Sequence, residues 1–162
     1  MKNKDHLPVF GIGPLIVNPQ ILLTLAGIVL SASGYFRLGK IPALKIPFVI
    51  IGIILIVFGI YLWYCANYRE RVFDRITENK LVTTGVYAIV RNPIYSAFFL
   101  LCTGAIFIAN NLFLFIIPVI CWLYMTIMLK CTEEKWLLDL YGQEYIEYCK
   151  RVNRCIPWFP KK

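Results

Sequence analysis

The sequence predicts an all-α, polytopic membrane protein with about four transmembrane helices and a C-terminal interfacial helix. Three observations carry this. The chain is 59% hydrophobic, against about 45–50% in a soluble domain, and its mean hydropathy is +0.67. Its apolar residues gather in four runs, each near the roughly 17–25 residues that cross a bilayer. Its basic residues divide unevenly between the two ends of those runs. The 162 residues allow one membrane domain, 1–162, and no second.

The first span is expected over about 19–38, opened by Asn18-Pro19. Gly27, Ser31 and Gly34 put small residues on nearby faces of it, read as ordinary helix packing. The second span is expected over about 47–67. The third starts at Asn92-Pro93, a cap followed by proline in the first turn, and runs over 93–109. Asn110-Asn111 is the only polar break before the fourth span, 112–130, so these two helices should form a tight antiparallel hairpin. Pro118 is a candidate kink. The start of the chain is polar and the first apolar run lacks a cleavage pattern, so no leader peptide is expected. Whether Phe10–Pro14 enters the bilayer is left open by the sequence.

Four spans place both termini on one side. That side carries 14 Lys and Arg residues against the three of the other, Arg37, Lys40 and Lys45. The bias predicts an integral membrane protein with both termini in the cytoplasm. It also accounts for most of the net charge of +8, so nucleic acid is not an expected partner. The expected partners are the lipid bilayer and a lipidic or small apolar molecule; the oligomeric state is open. The cytoplasmic face is then a short arm, a loop over 68–92 and a tail over 131–162.

The loop ends in Lys80-Leu-Val-Thr-Thr-Gly-Val-Tyr-Ala-Ile-Val-Arg-Asn-Pro-Ile-Tyr95. It is polar, broken by Gly and Pro, and set against a span. Arg91 at the head of an apolar helix is costly unless it has a partner. A ligand site at the membrane surface meets that need; taken alone, a snorkelling anchor meets it too.

The tail reads as helix over 132–150, with Gly142 dividing it and Trp136, Leu137, Leu140, Tyr141, Tyr145, Tyr148 and Cys149 on an apolar stripe. Ile156-Pro-Trp-Phe-Pro160 closes it as an interfacial anchor. Glu133-Glu134 stands directly after the fourth span. Its plainer reading is a solvated first turn with i,i+4 pairing; its functional reading is a carboxylate for a cationic ligand or a ribose. The six cysteines form no CxxC pair and His6 is the sole histidine, so no metal site, disulfide framework or Ser-His-Asp chemistry is expected.

Thr84-Gly-Val-Tyr-Ala-Ile-Val-Arg-Asn-Pro-Ile-Tyr95, the hairpin, Glu133-Glu134 and Tyr141-Gly-Gln-Glu-Tyr-Ile-Glu-Tyr-Cys-Lys-Arg-Val152 together resemble the isoprenylcysteine carboxyl methyltransferase family and its phospholipid N-methyltransferase relatives. The resemblance covers about the last half of the chain. It implies a membrane methyltransferase using S-adenosyl-L-methionine and releasing S-adenosyl-L-homocysteine. It further implies that Asn79, Lys80, Leu81 and Val82 line the cofactor pocket. Gly85 would let backbone approach the ligand and Tyr87 would face it. Arg91 would pair with the cofactor's carboxylate, and Asn92, Pro93, Ile94 and Tyr95 would cover the pocket. Glu133 would be the catalytic carboxylate, with Glu134 as its cofactor-binding neighbour.

Two positions depart from the family: Asn92 stands where it has histidine, and Leu129 where eukaryotic members have arginine. The methyl acceptor, and whether O-, N- or S-methylation occurs, are not specified. Two other classes compete: an NADPH-dependent sterol-type reductase, which shares a similar Arg-His-Pro-Asn-Tyr element, and a non-catalytic membrane scaffold.

Overall fold

The computed structural model describes residues 11–70 and 80–159. Those residues are helical without strands. The main helices are α1 (Gly13–Ala32), α2 (Lys45–Tyr64), α3 (Pro93–Ala109), α4 (Ile116–Cys131) and α5 (Glu133–Arg151). Three helical stretches are long and apolar enough to cross a membrane: Gly13–Ala32, Pro42–Arg69 and Leu112–Cys131. Pro93–Ala109 is a shorter apolar helix. This is the expected polytopic all-α architecture.

The first span differs from expectation by six residues at each end, 13–32 instead of 19–38. Pro14 opens it, and Pro19 lies inside it. An interior proline leaves the carbonyl four residues back without a donor. Here that carbonyl is Leu15 O, and the Tyr124 hydroxyl of α4 donates to it at 2.9 Å. The helix therefore runs through Pro19. Of the segment left open above, Gly11 and Ile12 form a turn leading into the helix and Gly13 and Pro14 are its first two residues.

Helix α2 continues into a π-helical turn, Cys65–Arg69. Helix α3 covers Pro93–Ala109, the residues read above as the third span. The fourth opens with a 3-10 turn, Leu112–Phe115, and Pro118 falls in the first α turn. First-turn N–H groups have no intrahelical partner, so proline there opens the helix and gives no mid-span kink. Gly142 does divide the tail helix, at φ 52°, ψ −123°.

Helix α3 is the centre of the bundle. Its most extensive contact is with α2, followed by α1. Backbones approach closely where Gly52 faces Gly104: a Cβ on either would sit 2.6 Å from the other's carbonyl oxygen. Gly59 packs likewise on Ala97 and Leu100. In a bilayer, such close packing replaces the solvent-driven force between helices. Gly27 meets Leu114 and Ile117 at the α1–α4 contact.

The turn between α3 and α4 is tied to the segment joining α1 and α2. Asn110, at φ 49°, donates from Nδ2 to Ile41 O at 2.9 Å. Asn111 donates to Ser31 Oγ (2.8 Å) and Phe36 O (2.9 Å). The opposite end of the bundle gathers the Gly11–Ile12 turn, the 80–92 loop and the tail.

Candidate functional site

The described part of the loop starts at Lys80, which is exposed. Leu81 packs on the tail cluster of Tyr145, Tyr148 and Val152, while Val82 and Ile94 pack on the α2–α3 core. Gly85–Ala88 form one 3-10 turn. Gly85 needs its lack of a side chain: its φ is 58°, and a Cβ would overlap the Glu70 carboxylate. Thr84 Oγ1 donates to the same carboxylate at 3.3 Å. A cavity of about 420 Å³ opens here, lined by Tyr61, Cys65, Arg69, Glu70, Thr84, Gly85, Val86 and Ile89. Its wall includes the π-turn, a feature frequent at functional sites.

Tyr87 is buried in the α2–α3 core. Burial, reinforced by Tyr148, Glu70 and Glu133, pushes its phenol well above the usual value. Its carbonyl accepts from the Tyr148 hydroxyl at 2.6 Å. The tail therefore docks on the loop through a side chain as well as through backbone. Arg91 N–H donates to Asn153 O (2.9 Å) and Trp158 N–H to Ile89 O (3.2 Å). Asn92 Nδ2 donates to Arg154 O at 3.0 Å, and Ser96 Oγ to Cys155 O at 2.6 Å. Val152–Phe159 thus forms a strap along the loop. Asn92, the departure from the family's histidine, holds that strap. Pro93 is buried at the head of α3.

The Arg91 side chain is only 8% exposed and lies 3.1 Å from Glu134, itself 15% exposed. Nη1 also contacts Tyr145 Oη at 3.4 Å and the Cys149 sulfur. Arg154 grips the same Glu134 with two bonds, at 2.6 and 2.9 Å. Those hydrogen bonds hold the Arg154 guanidinium above its usual range. One carboxylate therefore serves two arginines. Arg91 Nε remains buried without a partner.

Glu133 faces the other way. Its Oε1 accepts from Tyr95 O–H at 2.6 Å and from Ile12 N–H at 3.0 Å. Burial raises its pKa, and these two bonds oppose the rise. The pair is therefore not a solvated first turn; each carboxylate has its own partly buried partners. Leu129, one turn earlier, is fully buried with Ile16, Met125 and Cys155.

The structure thus brings together Tyr87, Arg91, Asn92, Tyr95, Glu133 and Glu134 of the expected set. It places Gly85 on the cavity wall and gives Leu81, Val82, Pro93 and Ile94 packing roles. Asn79 lies outside the described residues. Among the described residues, no cluster suited to a metal ion occurs. Sequence reasoning missed Glu70, the Ile12 amide and the Arg154–Glu134 pair. In the sequence Arg154 reads as a positive-side residue, a phospholipid contact or a holder of an anionic substrate group, and not as a partner of Glu134.

A family model described as phospholipid methyltransferase matches residues 46–144. Protein-S-isoprenylcysteine O-methyltransferase B of Arabidopsis thaliana is 33% identical over 85 residues, 52% of this chain and 43% of the plant protein. Protein-S-isoprenylcysteine O-methyltransferase of Saccharomyces cerevisiae is 32% identical over 117 residues, 67% of this chain and 48% of the yeast protein. Methanethiol S-methyltransferase 1 of Bradyrhizobium diazoefficiens is 34% identical over 82 residues, 51% and 28% of the two chains. The matches thus span about half, or less, of these relatives. No solved structure matches the chain.

Proposed function

The chain belongs to the phospholipid methyltransferase family, and from that premise we propose that it transfers a methyl group from S-adenosylmethionine to a lipidic or small apolar acceptor. The reading includes a site on the cytoplasmic side, following the 14-to-three division of basic residues. The observation that carries it is the pair of adjacent carboxylates beside the head of α3, Glu134 held by Arg91 and Glu133 by Tyr95, at the end of an apolar bundle.

The residues present suit such a cofactor. Arg91 has a buried, unpartnered Nε beside a Glu134 that already neutralises it. Nε is thus a donor that a ligand carboxylate could still use. Gly85 lies on the wall of a cavity of about 420 Å³, its backbone approached closely by the Glu70 carboxylate. In this reading Arg91 holds the cofactor's carboxylate, Glu134 takes a hydroxyl or ammonium group, and residues 79–82, Gly85 and Tyr87 line the remainder.

When bound, S-adenosylmethionine supplies a methyl group already activated by a positive sulfur. The protein then has mainly to align the acceptor and exclude water. Glu133 orients the nucleophile and takes the proton it loses. A thiol or amine uses that proton acceptor; a carboxylate does not need one. Leu129 offers no cation where eukaryotic relatives have arginine, Arg154 is gripped by Glu134, and Arg91 is assigned to the cofactor in this reading. The site therefore favours a protic nucleophile on an apolar body.

Thermal unfolding of the detergent-purified protein tests the cofactor. S-adenosylhomocysteine at 100-fold its dissociation constant should stabilise the fold by about 2.7 kcal/mol. Arg91→Ala should remove that shift. Stabilisation by NADPH, and none by S-adenosylhomocysteine, would refute the methyltransferase reading.

A further inference from the structure

The Glu133 carboxylate is held asymmetrically. Among the described residues, Oε1 takes both of its hydrogen bonds, from Tyr95 O–H and Ile12 N–H, and none of them bonds to Oε2. The Ile12 amide belongs to the residue capping α1. A glutamate thus closes the start of a helix 121 residues away in sequence, as the glutamate of a capping box does within one turn. The preceding Gly11 has a φ of 49°, and a Cβ on it would overlap Glu133. The turn can lie against the carboxylate only because that position is glycine. Three elements therefore meet at one oxygen: α1, α3 and α5.

We infer that Tyr95 and the Gly11–Ile12 turn are positioning groups for Glu133, fixing it through Oε1 so that Oε2 alone is presented to the methyl acceptor. A buried carboxylate with no donors would take up a proton and lose its power to accept one. Two donors on one oxygen oppose that uptake and orient the other. They also fix the rotamer, so the acceptor meets a set direction. The role of Oε2 rests on the methyl-transfer reading; the clamp on Oε1 does not.

Other groups around Glu133 do not substitute for the clamp. The Tyr87 phenol from the loop lies within electrostatic reach. Glu134, the next residue on α5, is neutralised by Arg91 and Arg154. Among the described residues, the groups that favour the charged form of Glu133 against its burial are Tyr95 and Ile12.

The test is an infrared pH titration of the cofactor-free protein in detergent, with Glu133→Gln subtracted to isolate the Glu133 band. A hydrogen bond to a charged group is worth at least one pH unit in midpoint, so Tyr95→Phe should raise it by about one unit or more. Gly11→Ala, which forces the turn away, should move it in the same direction. A second measurement is independent of titration: amide exchange at Ile12 should quicken about tenfold or more in Glu133→Ala. An unchanged midpoint in folded Tyr95→Phe would overturn the inference, as would unaltered exchange at Ile12. Either failure leaves S-adenosylhomocysteine binding untouched, so it is distinguishable from failure of the methyltransferase reading.

Discussion

Replacing Glu134 by Gln leaves Arg91 and Arg154 facing each other with no negative charge between them. Arg91 cannot escape, since its side chain is 8% exposed. Arg154, at 23%, can turn partly toward water. Removing one member of a fully buried ion pair costs about 3–5 kcal/mol, and the freedom of Arg154 brings this to roughly 2–4 kcal/mol. At about 2–4 °C per kcal/mol for a chain of this size, the melting temperature should fall by roughly 4–16 °C. Arg154→Met should cost less, because Arg91 still neutralises Glu134. Adding Arg154→Met to Glu134→Gln should recover part of the loss by removing one of the two stranded cations. The assay is thermal unfolding in detergent at low and high salt; a largely buried pair should respond little to salt. A Glu134→Gln protein that melts with the wild type, or an Arg154→Met protein that melts below Glu134→Gln, would refute the shared-carboxylate argument.

Tyr124→Phe should destabilise the protein by about 1–2 kcal/mol by stranding the Leu15 carbonyl, and Pro19→Ala in the same chain should restore stability by supplying the missing N–H; a thermal melt reads both. Gly85→Ala should cost at least about 1–2 kcal/mol from its left-handed backbone alone, with weaker S-adenosylhomocysteine binding by calorimetry. Glu133→Gln should lower methyl transfer, measured with radiolabelled cofactor, while circular dichroism is unchanged. Glu133 also sets a pH dependence. Its folded pKa is raised, so the folded state holds a proton longer than the unfolded chain. That contribution is full below the ordinary carboxylate range and is lost as pH rises through the folded value. Melting temperature should therefore drop across that window in the wild type and stay flatter in Glu133→Gln.

The spans and the head of α3 were legible in the sequence because hydropathy and a capped proline are local signals. Pro93 and Gly142 acted where expected, whereas the Asn92 side chain makes no capping bond and reaches Arg154 O instead. The first span slipped because Pro19 reads locally as a helix start, while the group that lets the helix pass through it is Tyr124, on another helix. Gly52 and Gly104 look unremarkable in their own runs, and their meaning emerges only when they face each other. The site divides similarly. Its residues could be picked out as costly in their places, but their partners could not. Arg91 needed an anion, and the pattern pointed to a ligand; the structure supplies Glu134. Arg154 and Ile12 lie far along the chain from the carboxylates they meet, and no spacing rule connects them.

The asparagine turn carries a consequence for biogenesis. The amides of Asn110 and Asn111 find their acceptors on Ser31, Phe36 and Ile41, all of which leave the ribosome earlier. When the last two spans enter the bilayer, those acceptors are already waiting. A chain whose first connecting segment has been altered would insert the second helix pair with two amides unanswered, and quality-control proteases would meet it at that moment instead of after assembly.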